Sequence, residues 1–218
     1  MQTDLFNLIV NNDLAGLRAA LAANPVLANE GVALNIDGKI NPAKGHSLHR
    51  VCDAVFANKV SDNQAIEIAK IFLEYGADIN GFMVRNDLNT PLIAASSLNA
   101  EQLGLFYIEK SADIFYAPPG DGATALHWAA YCGRDQLVEK LIEKGAQVNQ
   151  LDSNYQSTPC GWAIHLLESG DTNNLHNQLA CIKLLLKAGT DKSLLYPGSL
   201  QYLHEAAIND PELKTLLE

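Results

Sequence analysis

Basic residues are scarce in this sequence. Fifteen Lys and Arg stand against 25 Asp and Glu, for a formal net charge of −10, and the basic residues are dispersed along the chain. Nucleic acid and anionic membrane surfaces are therefore not expected partners, because phosphate recognition needs a clustered basic stripe. The acidic surface favours solubility and leaves room for a basic protein partner steered by long-range attraction. Long apolar runs are absent as well, and none approaches the roughly 20 residues that span a bilayer. The opening residues, MQTDLFNLIVNN, have neither a basic segment nor a small-residue cleavage site, so no signal peptide is expected. Cys52, Cys132, Cys160 and Cys181 are scattered without a CxxC pair, which argues against a disulfide framework and for a cytoplasmic setting. A P-loop, a dinucleotide fingerprint and a Gly-x-Ser-x-Gly elbow are all missing. Asp152, Asn154 and Gln156 alternate but lack the glycine and distal glutamate of a calcium loop. No catalytic residue, cofactor or metal is therefore assigned.

What is present is a repeat. Thr90-Pro91, Thr124-Ala125 and Thr158-Pro159 follow one another at intervals of 34 residues, each leading a small and apolar string: PLIAAS, ALHWAA, PCGWAI. A second series runs at nearly the same spacing: Gly76-Ala77-Asp78, Ser111-Ala112-Asp113, Gly145-Ala146-Gln147 and Gly189-Thr190-Asp191. Between the two series the apolar residues keep helical spacing, as in Leu137, Val138, Leu141 and Ile142. Each unit reads as turn, short helix, turn, longer helix and a Gly that ends it in the left-handed conformation. The Thr caps the next helix, and Pro suits its first position. Alanines at the centre of the short helix allow close approach between units, which bury their apolar faces by stacking.

Residues 124–149, TALHWAA…LVEKLIEKGAQVN, closely resemble the ankyrin repeat. Looser copies occupy 86–116 and 154–191, and weaker inner-helix motifs lie at His46–Cys52 and Gln201–Ala207. The resemblance implies an all-α solenoid of about six helix pairs with projecting hairpin-like loops, in a single stand-alone domain over 1–218. A capping repeat is expected at 3–29, an insertion at 30–45, repeats at 46–81, 86–116, 120–150 and 154–191, and a closing repeat at 198–218. The insertion contains Asp37-Gly38 flanked by apolar residues, a hairpin signal. Extra segments between paired helices are expected around 57–64 and 168–178. Asp210-Pro211 reads as the start of a last short helix.

His49, His127 and His204 share one repeat position, where the resemblance implies a hydrogen bond to backbone between units rather than acid–base or metal chemistry. His46, His49 and Cys52 are spaced like ligands but drift around a helix and lack a fourth donor. Cys52, Cys160 and Cys181 occupy inward positions, while Cys132 faces the variable surface. Trp128 and Trp162, one repeat apart, read as framework residues packed between repeats rather than as a binding ladder. The family implies that partners touch the loop tips and the concave inner helices. Carried over by position, this selects Asn86, Asp87, Asn89, Ser97 and Leu98, then Asp121, Ala123, Tyr131 and Cys132, then Asn154, Tyr155, Ser157, His165 and Leu166. Tyr131 and Tyr155 are the expected anchors, because a rigid aromatic loses little entropy on burial. The resemblance also marks Asn80 and Asn149 as positions open to hydroxylation in an animal cell. The leading reading is a monomeric protein-binding adaptor; the alternatives are a bacterial effector or toxin-neutralising protein and, more distantly, a self-associating structural protein.

Overall fold

The computed structural model describes residues 4–36, 39–82, 88–168 and 175–218, and the chain divides into two compact units, the first ending at Asp113 and the second beginning at Ile114. Among the described residues the first unit contains helices α1 (Leu5–Val10), α2 (Leu14–Ala23), α3 (Ser47–Phe56), α4 (Asp62–Glu74), α5 (Pro91–Ser97) and α6 (Glu101–Glu109). Its two strands, β1 (Val32–Ile36) and β2 (Lys39–Gly45), pair antiparallel as the Asp37-Gly38 signal predicts, with a register shift between Ala33 and Leu34. Residues 37 and 38 themselves lie outside the described residues. The second unit contains α7 (Ala125–Tyr131), α8 (Asp135–Glu143), α9 (Pro159–Glu168), α10 (Leu175–Lys187), α11 (Ser199–Ala206) and α12 (Pro211–Leu217). This is the all-α architecture of six helix pairs expected from the repeat.

Helix starts follow from the sequence. Thr90 Oγ1 accepts from Ile93 N with Pro91 in the first turn, and Asp210 Oδ1 accepts from Leu213 N ahead of Pro211. At the other end, Gly76, Gly145 and Gly189 take φ values of 84°, 90° and 94°, which free the chain to turn back after the longer helix. The third copy uses Ser111 at φ 67° in the same place, a conformation that a Cβ disfavours.

The extra segment expected around 57–64 lies between α3 and α4, and much of the one expected around 168–178 lies outside the described residues. The first is absorbed largely as helix: α3 has 10 residues where α5 and α7 have 7, and α4 has 13 where α6 and α8 have 9. Helices α9 and α10 also have 10 and 13 residues, with 169–174 outside the described residues. Once a helix is nucleated each added residue gains a hydrogen bond, and Ser61 with Gln64 forms a capping box that starts α4 early. The early start has a second effect. Ala100 gives α6 no side-chain cap, and the Asp62 carboxylate accepts from Gln102 N at 2.7 Å and Leu103 N at 2.9 Å instead.

Polar side chains tie one repeat to the next. Asn29 Nδ2 donates to Gly76 O and its Oδ1 accepts from Asp78 N; Asn149 does the same with Gly189 O and Asp191 N, at 2.9 and 2.8 Å. Asn80 Oδ1 accepts from Asp113 N at 2.8 Å. Each amide thus satisfies groups left over where a helix ends. Arg50, 3% exposed, donates from Nε to Val32 O and from Nη1 to Asp53, holding β1 to α3. The core of the first unit centres on Phe6, Phe72, Leu103 and Tyr107, whose buried hydroxyl donates to Leu48 O at 3.1 Å.

The histidines divide. His49 Nε2 donates to Asn89 O at 2.7 Å and His127 Nε2 to Ser157 O at 3.2 Å, as the resemblance implies. His204 departs: its Nδ1 bonds Leu200 O one turn back in its own helix, and it is exposed because it lies in the last helix pair.

Asn149→Ala should lower the stability of the second unit by about 1–2 kcal/mol, from the loss of both amide hydrogen bonds, in urea denaturation. An unchanged midpoint would show that the clasp contributes nothing. Burial, opposed by the Asn89 hydrogen bond and reinforced by His46 and Arg50, holds His49 down at about 4. The folded protein therefore keeps His49 neutral while the unfolded chain protonates it below about 6.5. Its contribution is complete above the unfolded value and is lost as pH falls from there towards the folded one, by up to about 3 kcal/mol. His49→Gln should flatten the slope of unfolding free energy between pH 7 and pH 4, and an equal slope would assign the acid sensitivity to other groups.

Candidate functional site

In the second unit α7 and α9 lie side by side, and the loop between α8 and α9 folds over their N-terminal ends. Asp152 organises that loop. Its side chain is fully buried, and each oxygen accepts two N–H groups: Oδ1 from Asn154 N (2.9 Å) and Tyr155 N (2.8 Å), Oδ2 from Ser157 N (3.0 Å) and Trp162 Nε1 (3.0 Å). Burial pushes the carboxyl up, and the four N–H donors outweigh it, holding the group below the usual carboxylate range. Asp152 is therefore an anion inside the protein, and among the described residues no lysine or arginine pairs with it. Nearby His127 does not supply a charge either. Burial lowers its pKa, and its Nδ1 accepts from Thr124 N, so Nε2 carries the proton given to Ser157 O.

Trp162, oriented by Asp152, is the hub of an aromatic cluster. Its ring meets Trp128 at 5.2 Å, Tyr131 at 5.8 Å, Tyr155 at 6.2 Å and His127 at 5.4 Å, all edge to face. Trp128 and Tyr131 also meet edge to face, at 6.2 Å. Such pairs contribute about 0.5–1.5 kcal/mol each beyond the area that they bury. Around the cluster opens a cavity of about 580 Å³, lined by Trp128, Tyr131, Tyr155, Ser157, Gly161, Trp162, His165 and Tyr196. That volume falls within the range of ordinary ligand pockets. Tyr155 is 65% exposed and Tyr196 44%, and the Tyr196 hydroxyl donates to Tyr155 O at 2.5 Å. Gln178 Nε2 supports the far wall by donating to Tyr131 O at 2.9 Å.

The structure brings Tyr131, Tyr155, Ser157 and His165 together at the cavity. Asn154 is exposed on the loop above, Leu166 and Asp121 are partly exposed, and Asp121 O accepts from Ser153 N. Cys132 sits at the end of α7, half-buried; burial pushes its thiol up and the nearby Arg134 only pulls it back in part. Ala123 is wholly buried, which leaves its methyl out of a partner's reach. Asn89, Ser97 and Leu98 belong to the first unit and are partly exposed, while Asn86 and Asp87 lie outside the described residues. The sequence reading left Trp128, Gly161, Trp162 and Tyr196 out of the site. The tryptophans do pack against one another between repeats, as expected, and they also form the cavity wall, so framework and surface are the same residues here. Their recurrence 34 residues apart was the available signal. Tyr196 has none, because it follows the last Gly of the repeat series.

These repeats define the class of the protein. Residues 100–195 match the family described as ankyrin repeats, in 3 copies. The human ASB11 ankyrin repeat domain superposes with a TM-score of 0.65 at 20% identity, covering 99% of this chain and 82% of that one. An ankyrin repeat domain from Acinetobacter baumannii AYE gives 0.66 at 24% identity, covering 98% and 95%. Residues 100–195 are thus ankyrin repeats, and the chain has the fold of ankyrin repeat domains. In sequence it is similar to the palmitoyltransferase ZDHHC13 of Homo sapiens, 34% identical over 125 residues, which is 53% of this chain and 18% of that protein. It is also similar to palmitoyltransferase ZDHHC17 of Homo sapiens, 37% identical over 78 residues, or 36% of this chain and 11% of that protein. The chain thus spans less than a fifth of the length of these curated relatives. Among the described residues no helix is long and apolar enough to cross a membrane.

Asp152→Asn places an NH₂ group against N–H donors on one side of the carboxyl. It should destabilise the second unit by about 2–3 kcal/mol and shift the tryptophan emission. Native stability and emission in this variant would show that the charge is not needed to order the loop.

Proposed function

We propose that the chain is a protein-recognition module that engages its partner through the aromatic cavity between α7 and α9 and the adjoining loop at Asn154 and Tyr155. The observation that carries this reading is the exposure of a preassembled aromatic cluster. Five large rings line one cavity, and two of them stand at its mouth where a monomeric soluble fold would gain by covering them. Rigid aromatics edge-packed on a helical platform are the residues that dominate binding energy at interfaces. Ankyrin repeats generally mediate protein–protein interaction, which supports the same conclusion.

The proposal covers recognition and not catalysis. The transferase activity named for the curated relatives belongs to proteins of which this chain matches less than a fifth. We place the module in the cytoplasm as a monomer, a setting that suits four reduced cysteines. The net charge of −10 favours a partner with a basic surface.

Affinity capture followed by mass spectrometry tests the reading. The protein should retain a defined partner that the Tyr131→Ala/Tyr155→Ala double variant loses, with the melting temperature of the variant within a few degrees of the parent. The same set of proteins captured by both would remove this cavity from the interface.

A further inference from the structure

The cavity between α7 and α9 carries more chemical information than its aromatic character alone. An aromatic-lined groove can receive an apolar ring, a hydrogen-bonding backbone or a cation, and the donors of the lining residues discriminate among these. Grooves that take extended peptide backbone offer free indole N–H groups to peptide carbonyls. Neither indole here does. Trp162 Nε1 is engaged by Asp152 at 3.0 Å, and Trp128 Nε1 is shut away from solvent, without an acceptor among the described residues. The hydroxyl of Tyr196 is likewise spent on Tyr155 O. Tyr131, Tyr155, Ser157 and His165 add polar groups to a lining that is otherwise ring surface.

Behind that surface lies a charge. The Asp152 carboxylate is fully buried, bonded only to N–H groups, and directly hydrogen-bonded to the central ring of the cluster. A carboxylate accepting from an indole N–H enriches the ring face in electrons, and a carboxylate without solvent contact is screened less than an exposed one. A cation lying on Trp162 would meet both the ring quadrupole and this anion. His127, which packs edge to face on Trp162, is neutral and does not oppose it. His165 lines the cavity and is exposed to solvent.

The geometry points to a trimethylated lysine side chain of the partner protein as the group that this cavity receives. A trimethylammonium carries positive charge with no N–H of its own, so it needs neither the indole donors, which are engaged or shut away, nor a set of acceptors. An unmodified ammonium would have to give up its hydration for few acceptors in return, which is costly. The four-carbon stem of lysine supplies the reach to carry the group past the exposed ring of Tyr155 into the cavity. This inference rests on the protein-recognition reading above and names the chemistry of its anchor.

The test uses the full chain and three short capped peptides that differ at one position: trimethyllysine, lysine, and a neutral analogue in which carbon replaces the quaternary nitrogen. Binding is followed by tryptophan fluorescence and by NMR. The trimethyllysine peptide should bind saturably, about tenfold or more tighter than the neutral analogue, as expected for a partly desolvated cation on aromatic faces. Tyr155→Leu and Tyr131→Leu keep apolar area while removing the ring, and each should weaken trimethyllysine binding several-fold without moving the neutral analogue. Equal affinity for the charged and neutral peptides would overturn the inference and make the cavity a purely apolar pocket. No saturable binding of the trimethyllysine peptide would overturn it too. Either result leaves the partner-capture experiment standing, because that experiment asks only whether Tyr131 and Tyr155 lie in an interface. Preferred binding of unmodified lysine would equally refute it.

Discussion

The imidazole of His127 joins one repeat of the second unit to the next, and the site depends on that junction. One nitrogen accepts the backbone N–H of Thr124 at the start of α7, and the other donates to the carbonyl of Ser157 at the approach to α9. A ring that satisfies both helix starts fixes their relative height, and with it the registration of every side chain that follows. Trp128 and Trp162, each four residues beyond its Thr, are thereby held at 5.2 Å. Burial keeps the ring uncharged, so the junction needs no counter-ion. The Asn149 amide performs a comparable task at the far end of the repeat, where it ties the loop after α8 to the one after α10.

The second constraint is electrostatic. Removing a carboxylate from water is expensive, and proteins recover the cost through a cation or through several hydrogen bonds. Asp152 uses the second route, with four N–H partners. This choice rigidifies the loop, aims Trp162 and leaves the negative charge uncancelled. Backbone amides and an indole supply dipoles, whose field falls off faster than that of an ion. The loop is consequently ordered by a group whose charge still reaches the adjacent cavity.

The fold was legible because the repeat is written twice over, in the Thr series and in the Gly series, and both mark helix ends by local chemistry. Helix caps at Thr90 and Asp210 are local enough to read from neighbouring residues, whereas the inter-repeat role of His49 and His127 came only from the family resemblance, since their acceptors lie 40 and 30 residues away. The places where the reading slipped are places where a local sequence has two uses. Residues 57–64 look like a loop when compared with the shorter units, yet Ser61 and Gln64 cap a helix there and lengthen it. Trp128 and Trp162 look like framework and are, but the cavity uses their other faces. Ala123 was chosen by position alone and proves to be buried, since a repeat position does not specify which atoms reach the surface. Tyr196 was invisible because its contact with Tyr155 joins residues 41 apart in sequence.

The carboxylate of Asp62 adds an order of events to the first unit. Helix α6 has no cap in its own sequence and borrows one from the start of α4, 40 residues upstream. A ribosome releases Asp62 long before it releases Gln102, so the acceptor is waiting when the N–H groups that need it emerge. The dependence does not run the other way, because α4 is capped by its own Ser61 and Gln64. The longer second repeat therefore gives the stack a direction of assembly, in which the earlier pair can close alone and the later pair is completed upon it.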